Sequence, residues 1–282
     1  MAFNHEVETV FSGSQYKKET NYGTEGTGNA TQFVGMNVLP TIVQSKEVNK
    51  VQGLAMPTGM KIGEEHSTWE GEGALCTAEM QFFADVISTE PSDPNSFTLY
   101  HKEMKSAGCA VSGFSITGDT QTLTGKVSFV GKKVTTGATS TLGNPVMPIL
   151  FEPQKTKISL NGSELLKVNQ WSVDVSGIWD IVNFVDANKQ SIAQGEIDGS
   201  FSFTMPLDSN AYTYLNNNAL NTAVITNTTT IGSSNYTFTI AFDFMFEAPD
   251  KPSDTNRVWT IPLKGKIMNK SPKAIEITYT GA

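Results

Sequence analysis

Apolar and polar residues alternate along most of this chain, and a period of two is the pattern of a half-buried β-strand. The alternation is clearest in the stretch 195–207, where Phe201, Phe203 and Met205 are separated by small polar residues. Strands are predicted over 31–44, 71–86, 109–117, 122–134, 155–177, 195–207, 235–247 and 257–269. The stretch 155–177 is predicted as a hairpin that turns at Asn161 and Gly162, a pair typical of tight turns. The pattern therefore predicts a mainly β protein.

Two segments carry helix signals. The first is 92–108, where Asp93 is placed as N-cap and Pro94 as the first helical residue, and where Gly108 would end the helix. The second is 208–221, a shorter helix with a polar cap at its start. Each half of the chain is thus predicted to carry one short flanking helix.

Loops and a linker divide the chain. The segment 1–30 is predicted as a polar N-terminal arm, and 45–68 as a long irregular loop that exposes Met56 and Met60. Loops of this length inside a compact domain usually have a function. The small, polar stretch 135–150 is predicted as a linker between one β domain over 31–134 and a second over 151–282.

The order of predicted elements recurs in the two halves. Phe33 precedes Gly71 by 38 residues, and Lys157 precedes Gly195 by the same number. In both halves a predicted strand that contains a glycine followed by an acidic residue leads into a short helix and then two strands. We interpret this as a duplicated unit, two tandem β-sandwich or barrel domains, because a period above about 100 residues indicates tandem domains.

Composition narrows the possible partners. Twenty-eight acidic residues against twenty basic ones give a net charge of −8, and Arg257 is the only arginine. This balance argues against sequence-specific nucleic-acid binding, which relies on clustered Arg and Lys. An acidic wall would still allow DNA to pass, because it repels phosphates. No apolar run is long enough for a membrane span and the N-terminus does not resemble a secretory signal, so we expect synthesis in a cytoplasm without membrane insertion.

The candidate chemistry is sparse. His5, His66 and His101 lack the spacing of a zinc site, and Glu64-Glu65-His66 is interpreted as a solvated loop tip. Ser14 and Lys17 match a Ser-x-x-Lys pattern without its partner motifs. The sequence predicts no catalytic residue, no metal and no cofactor.

Cysteines and aromatic residues are interpreted as core. Cys76 and Cys109 are predicted as two buried thiols, with a disulfide as the less favoured alternative. Alternating phenylalanines in 235–247 indicate a strand that faces a sandwich core. The four tryptophans are also assigned to packing rather than to a carbohydrate platform.

Acidic residues form two short stripes. Glu70 and Glu72 share one face of a strand, and Glu196 and Asp198 would share a face in the second half. A pair of carboxylates could act as acid and base, but we interpret the stripes as solvated or pore-facing strand edges.

The stretch 17–27, KKETNYGTEGT, followed by FVGMNVLP, resembles the N-terminal signature of major tail tube proteins from long-tailed (siphovirus-like) bacteriophages. The segments WEGEGALCTAEM, FTLYHKEMKSAG and LNGSELLKVNQWSVDVSG are similar to later parts of that family. The resemblance implies a virion structural protein with a β-sandwich or barrel fold. Its rings would stack into a hollow tail tube that conducts DNA during genome ejection. For a duplicated member it implies trimeric rings with pseudo-sixfold symmetry, assembled in the host cytoplasm.

The resemblance also assigns roles to residues and names partners. The arm and the long loop would contact neighbouring subunits through Tyr16, Lys17, Lys18, Glu19, Tyr22, Met56 and Met60. Glu70, Glu72, Glu196 and Asp198 would face the lumen. Tape measure, tail terminator and distal tail proteins would be partners. The alternatives are a β-rich glycan-binding or adhesin module, a secretion-system tube protein and, last, an enzyme.

Overall fold

The computed structural model of this chain describes residues 13–49, 59–87, 95–137, 149–183, 190–215, 218–248, 250, 252–255, 258–268 and 274–281. Strands dominate these residues, as predicted. They are β1 (Gln15–Lys18), β2 (Thr31–Gln32), β3 (Met36–Asn49), β4 (Gly59–Ala74), β5 (Phe97–His101), β6 (Met104–Asp119), β7 (Leu123–Gly131), β8 (Thr156–Leu160), β9 (Ser163–Glu164), β10 (Gln170–Ser176), β11 (Trp179–Asn183), β12 (Gln190–Gln194), β13 (Asp198–Pro206), β14 (Asn221–Ile231), β15 (Ser234–Phe246), β16 (Ser253–Thr255), β17 (Val258–Met268) and β18 (Ile275–Thr280).

Among the described residues, two α-helices flank the strands, α1 (Thr77–Ile87) and α2 (Ser209–Leu215), and a short 3-10 turn covers Pro153–Lys155. The second helix follows β13, as predicted, and the Asp208 carboxylate accepts a hydrogen bond from the Ala211 N–H at 3.2 Å. Neither helix has the length and apolar character that a membrane crossing requires.

The predicted helix over 92–108 is wrong, because the described part of that segment forms strands. All five side chains of β5 are buried, which leaves no solvent-facing side of the kind an exposed helix shows. Lys102 has a φ of 52°, and with its neighbour it turns the chain from β5 into β6.

The helix of the first half instead occupies 77–87, inside the predicted strand 71–86. Met80 and Phe83 are fully buried while Gln81 and Asp85 are exposed, which is the spacing of a helix that covers a core on one side. Glu79 in its first turn also favours a helix N-terminus.

The predicted long loop 45–68 is largely a hairpin. Its described flanks, 45–49 and 59–68, belong to β3 and β4 and pair with each other as far as Asn49 and Gly59. Met56 lies outside the described residues, and Met60 lies in β4 with its side chain outside the described ones.

The two halves pair their strands in one and the same order. In the first half the antiparallel order is β3–β4–β7–β6–β5–β1–β2. In the second half it is β10–β13–β17–β15–β14–β8–β9. A helix follows β4 in one half and β13 in the other. By this order β3 corresponds to β10, β4 to β13, β7 to β17 and β6 to β15.

The correspondence fixes residues as well as strands. Lys126 pairs with Glu72 in the first half, and Lys266 pairs with Ser200 in the second. When the Gly-Lys pair of β7, Gly125 and Lys126, is matched to Gly265 and Lys266 of β17, Glu72 corresponds to Ser200. Strand pairing therefore aligns Gly71 with Gly199 and not with Gly195, so the equal spacing of 38 residues noted in the sequence does not mark equivalent positions.

Strand pairing joins the two halves through β6 and β10. β6 pairs with β10 over six residues, from Phe114 opposite Val175 to Asp119 opposite Gln170, and this makes one continuous sheet. Glycines allow the close approach. A side chain at Gly113 would meet the Val175 carbonyl oxygen at 2.7 Å, and one at Gly118 would meet the Trp171 ring.

Aromatic side chains fill the core of each half. Phe33, Phe82, Phe97 and Phe129 form contacts in the first half, and Phe201, Phe203, Phe242, Phe244 and Phe246 do so in the second. The core assignment is confirmed for Trp69 and Trp171, which are buried. It is wrong for Trp259, which is 59% exposed at the start of β17. Cys76 and Cys109 are both buried and free, as predicted.

Candidate functional site

A polar face runs across both halves of the continuous sheet. Residues opposite each other in antiparallel strands lie on the same face, so the register defines rows across it. One row crosses eight strands through Asn37, Glu72, Lys126, Ser115, Asp174, Ser200, Lys266 and Met245. The other side of the same strands carries core residues such as Val127, Ile116 and Phe201. The face is therefore the solvent side of a sheet that is apolar underneath.

Three of the four predicted acidic residues lie on this face. Glu70 and Glu72 are exposed on β4, and Asp198 is exposed as the first residue of β13. Glu196 is exposed but precedes the strand, so it does not share the strand face with Asp198. A shallow groove at the centre of the face brings Lys126, Asp174, Asp198 and Lys266 together.

Lysines accompany these acids in the same arrangement in each half. Lys126 lies opposite Glu72 and forms an ion pair with Glu70, 4.0 Å away on the diagonal. Lys266 lies opposite Ser200 and forms an ion pair with Asp198 on the same diagonal. All four charged side chains are about half exposed or more, so each pair contributes about 0–1 kcal/mol. The face is thus mixed in charge with a surplus of acids. The sequence analysis missed these lysines, although the repeated Gly-Lys pair was a signal for them.

The opening stretch forms part of the first half's fold in the free chain. β1 pairs with β5 from Gln15 to Lys18. The Tyr16 ring lies 4.9 Å from both Phe33 and Phe82, and burial raises the pKa of Tyr16 to about 12. Lys18 is exposed. The stretch therefore adds a strand and an aromatic side chain to the core.

Glu19 is a buried carboxylate with a full set of donors. It receives hydrogen bonds from the Gly23 N–H at 2.7 Å and the Gly108 N–H at 2.8 Å. The hydroxyls of Ser96 and Thr98 donate to it at 2.7 Å each. Four donors satisfy a buried charge that would otherwise be costly. Glu19 thus ties the turn after β1 to β5 and to β6.

The turn itself is held by further charges. Glu25 forms ion pairs with Lys17 at 2.9 Å and with Lys105 at 2.5 Å, and the bond from Lys105 is the main cause that lowers the pKa of Glu25 to about 2. The Lys132 ammonium lies 4.5 Å from the centre of the Tyr22 ring, and burial raises the pKa of Tyr22 to about 12. The Lys-Lys-Glu and Tyr-Gly-Thr elements of the sequence therefore form one clamped turn.

Ser14 and Glu79 complete the attachment of this region. The buried Ser14 hydroxyl bonds both the N–H and the C=O of Val38, at 2.8 and 2.5 Å, and lies 3.1 Å from Nδ1 of His101. Glu79 accepts from the N–H groups of Val34 and Gly35 at 2.7 Å each. Ser14 thus caps the outer edge of β3. This role of Glu79 was not predicted; a glutamate in the first turn of an unrecognised helix was its signal.

Within the described ranges, no group of three or more His, Cys, Asp or Glu side chains is arranged to hold a metal ion. Burial raises the pKa values of the Cys76 and Cys109 thiols to about 12, which disfavours the thiolate.

Comparison with known proteins identifies a relationship over nearly the whole chain. A family model described as phage tail tube protein matches residues 12–281. No curated protein sequence gives a match. The matched range contains both halves, the clamped turn and the polar face.

Proposed function

This chain belongs to the phage tail tube protein family, and from that premise we propose that three copies close into a ring whose six halves surround a DNA-conducting lumen. The family gives the chain a structural role in the virion tail, as the resemblance of its sequence implied. Stacked rings would form the tube through which the genome leaves during ejection.

The repeated order of strand pairing is the observation that carries the ring proposal. Two halves with one pairing order, joined by the pairing of β10 with the C-terminal part of β6, are what a pseudo-sixfold ring of three chains requires. Heterologous contacts close into a ring when the rotation between units divides a full turn. The same observation supports two tandem β domains, which we propose at 31–134 and 151–282 with 135–150 as linker, and β1 of the opening stretch adds a strand to the first domain.

We propose that the polar face of the continuous sheet lines the lumen. Glu70, Glu72 and Asp198 lie on it, and we assign Glu196 to the rim beside β13. The acids outnumber the lysines in the central row and its diagonals, which disfavours adhesion of DNA phosphates. DNA would pass such a wall without specific binding.

The assembly surfaces are proposed on the opening stretch and on the β3–β4 hairpin. Lys18 is exposed next to the clamped turn that Tyr16, Lys17, Glu19 and Tyr22 build. We propose that this turn contacts a neighbouring subunit. Its surface is formed before assembly, because its side chains are already held by contacts within the first half. Met60 in β4, and Met56 from the sequence between β3 and β4, would contact an adjacent ring.

Partners follow from a tube of this kind. We propose that the chain assembles with itself and with tape measure, tail terminator and distal tail proteins, in the host cytoplasm, before it resides in the virion tail. A structural role needs no cofactor, metal or catalytic residue, and we propose none.

Electron microscopy of the purified protein tests the proposal. The protein would be concentrated, incubated with salt, and examined in negative stain with and without tail tips as nucleators. Hollow, regularly striated tubes are expected. A chain that stays monomeric with nucleators present and binds glycans would instead be an adhesin-like module, and the tube would be abandoned.

A further inference from the structure

The two halves contact each other outside the sheet as well as within it. Helix α1 of the first half packs against β18 of the second half. The side chains of Thr77 on the helix and Tyr279 on the strand are hydrogen-bonded, and burial raises the pKa of Tyr279. Gln81 and Asp85, on the outer side of the helix, face Tyr236 and Tyr279 across a groove. A strand edge of the second half thus covers α1.

The corresponding helix of the second half has no such strand over it among the described residues. Tyr212, in the middle of α2, is 56% exposed, and its neighbour Thr213 is also exposed. Ala211 and Tyr214 face the core of the half. A large aromatic side chain on the outer side of a short helix is typical of a contact surface.

The strand edge that could cover α2 can be located from the pairing order. β18 pairs with β15 on the side opposite β14. In the first half the same side of β6, opposite β5, is occupied by Thr135, which exchanges two backbone hydrogen bonds with Lys105 at 2.9 and 2.8 Å. The first-half counterpart of β18 is therefore the segment around Thr135, where Thr135, Thr136 and Gly137 are exposed.

We propose that the outer side of α2, centred on Tyr212, packs against residues 134–137 of the next copy of this chain. The contact repeats between copies what α1 and β18 form within one copy, and it rests on the proposed ring. The same two residue types meet in both contacts, with their places exchanged. Inside the chain a threonine on the helix meets a tyrosine on the strand, and between copies Tyr212 on the helix meets Thr135 and Thr136 on the segment after β7.

Cross-linking between copies tests the contact. Tyr212→Cys combined with Thr135→Cys places a thiol on each side, and the native Cys76 and Cys109 are fully buried. A short bismaleimide added to assembled tubes should give covalent dimers and trimers on a denaturing gel. The matched control is Tyr212→Cys with Gln121→Cys, because Gln121 is exposed beyond the opposite end of β6 and should not cross-link.

Two results of this experiment would overturn the contact. They are intact tubes without cross-links from the first pair, and equal cross-linking of the control pair. If the unsubstituted chain forms no tubes even with tail tips, the ring fails, and the contact fails with it.

A second measurement uses assembly itself. Tyr212→Asp should raise the protein concentration needed for tube formation at least tenfold, while the free chain still unfolds in one cooperative transition, because more than half of the side chain is exposed. Ile231→Asp, at the last residue of β14, which is 50% exposed, is the control and should assemble normally. Normal assembly of Tyr212→Asp would contradict the proposal.

Discussion

The two halves of this chain share an order of strand pairing but differ in how much of each is covered. In the first half β10 covers one edge of β6, β18 covers α1, and the opening stretch adds β1 and its clamped turn. In the second half Tyr212 and Trp259 remain exposed. Inside the chain the first half is joined to the second half once. The equivalent surface of the second half stays exposed. That open surface is where another copy can bind.

The halves also differ in the side-chain interactions that hold their strands in place. In the first half, buried carboxylates accept backbone and hydroxyl donors, with Glu19 and Glu79 as the main examples. In the second half, β14 is held by cross-strand side-chain pairs, such as the hydroxyls of Thr228 and Thr237 at 2.9 Å. The first arrangement depends on single side chains, whereas the second is spread over many. Substitutions should therefore be more damaging in the first half.

The largest effect is expected from Glu19→Gln. The amide would leave two of the four buried donors without an acceptor and should lower the free energy of unfolding by about 3 kcal/mol. Urea unfolding followed by tryptophan fluorescence measures it. A loss below about 1 kcal/mol would show that the carboxylate does not hold the first half together.

An intermediate effect tests the equivalence of the halves. Gly71→Ala would place a methyl group 2.6 Å from Cγ2 of Val38, and Gly199→Ala would place one 3.0 Å from Cβ of Ile267. Overpacking of this kind should cost about 2 kcal/mol at the first site and about 1 kcal/mol at the second. Chemical denaturation of both variants provides the comparison. A larger loss of unfolding free energy for Gly199→Ala than for Gly71→Ala would contradict the alignment of β4 with β13 or the packing described around these two glycines.

A smaller, pH-dependent effect is expected from Glu25→Gln. The folded pKa of about 2 lies below the ordinary value of 4.5, so the stabilisation is complete above about pH 4.5 and is lost as the pH falls toward 2. Because Glu25 is one-third exposed, the difference from the unsubstituted chain at pH 7 should be below about 1 kcal/mol. Unfolding free energies at pH 7, 4 and 2.5 should converge as the pH decreases. A difference that grows on acidification would refute the ion-pair assignment.

The smallest effect is expected on the polar face. Glu70→Gln and Asp198→Asn each remove one exposed ion pair and should change the free energy of unfolding by less than about 0.5 kcal/mol. The two variants should behave alike, because they occupy equivalent positions. A loss of unfolding free energy above about 1 kcal/mol in only one of the two variants would show that the two positions are not energetically equivalent.

Strict alternation made three strands of the second half predictable from sequence. β13, β15 and β17 each bury one face, so the period of two marks them directly, and the turn residues Asn161 and Gly162 have the φ values of 51° and 81° that their types favour. The exposure of Glu70, Glu72 and Asp198 followed from the same rule.

Tertiary contacts explain what the sequence could not predict. β5 is buried on both faces, so no period distinguishes it from a helix, and α1 begins with residues that also alternate. The burial of Glu19 depends on Ser96, Thr98 and Gly108, which are 77 to 89 residues away along the chain. No local pattern reveals donors at that separation.

The number of chains in one ring is the most direct test of the central claim. Averaged electron-microscopy images of assembled tubes, viewed along the axis, should show six similar units that alternate in outer contour, with the mass of three chains. The alternation is expected because the first half carries the clamped turn and the second half does not. Six complete chains in a ring, or a lumen lined by only one half of each chain, would contradict the account.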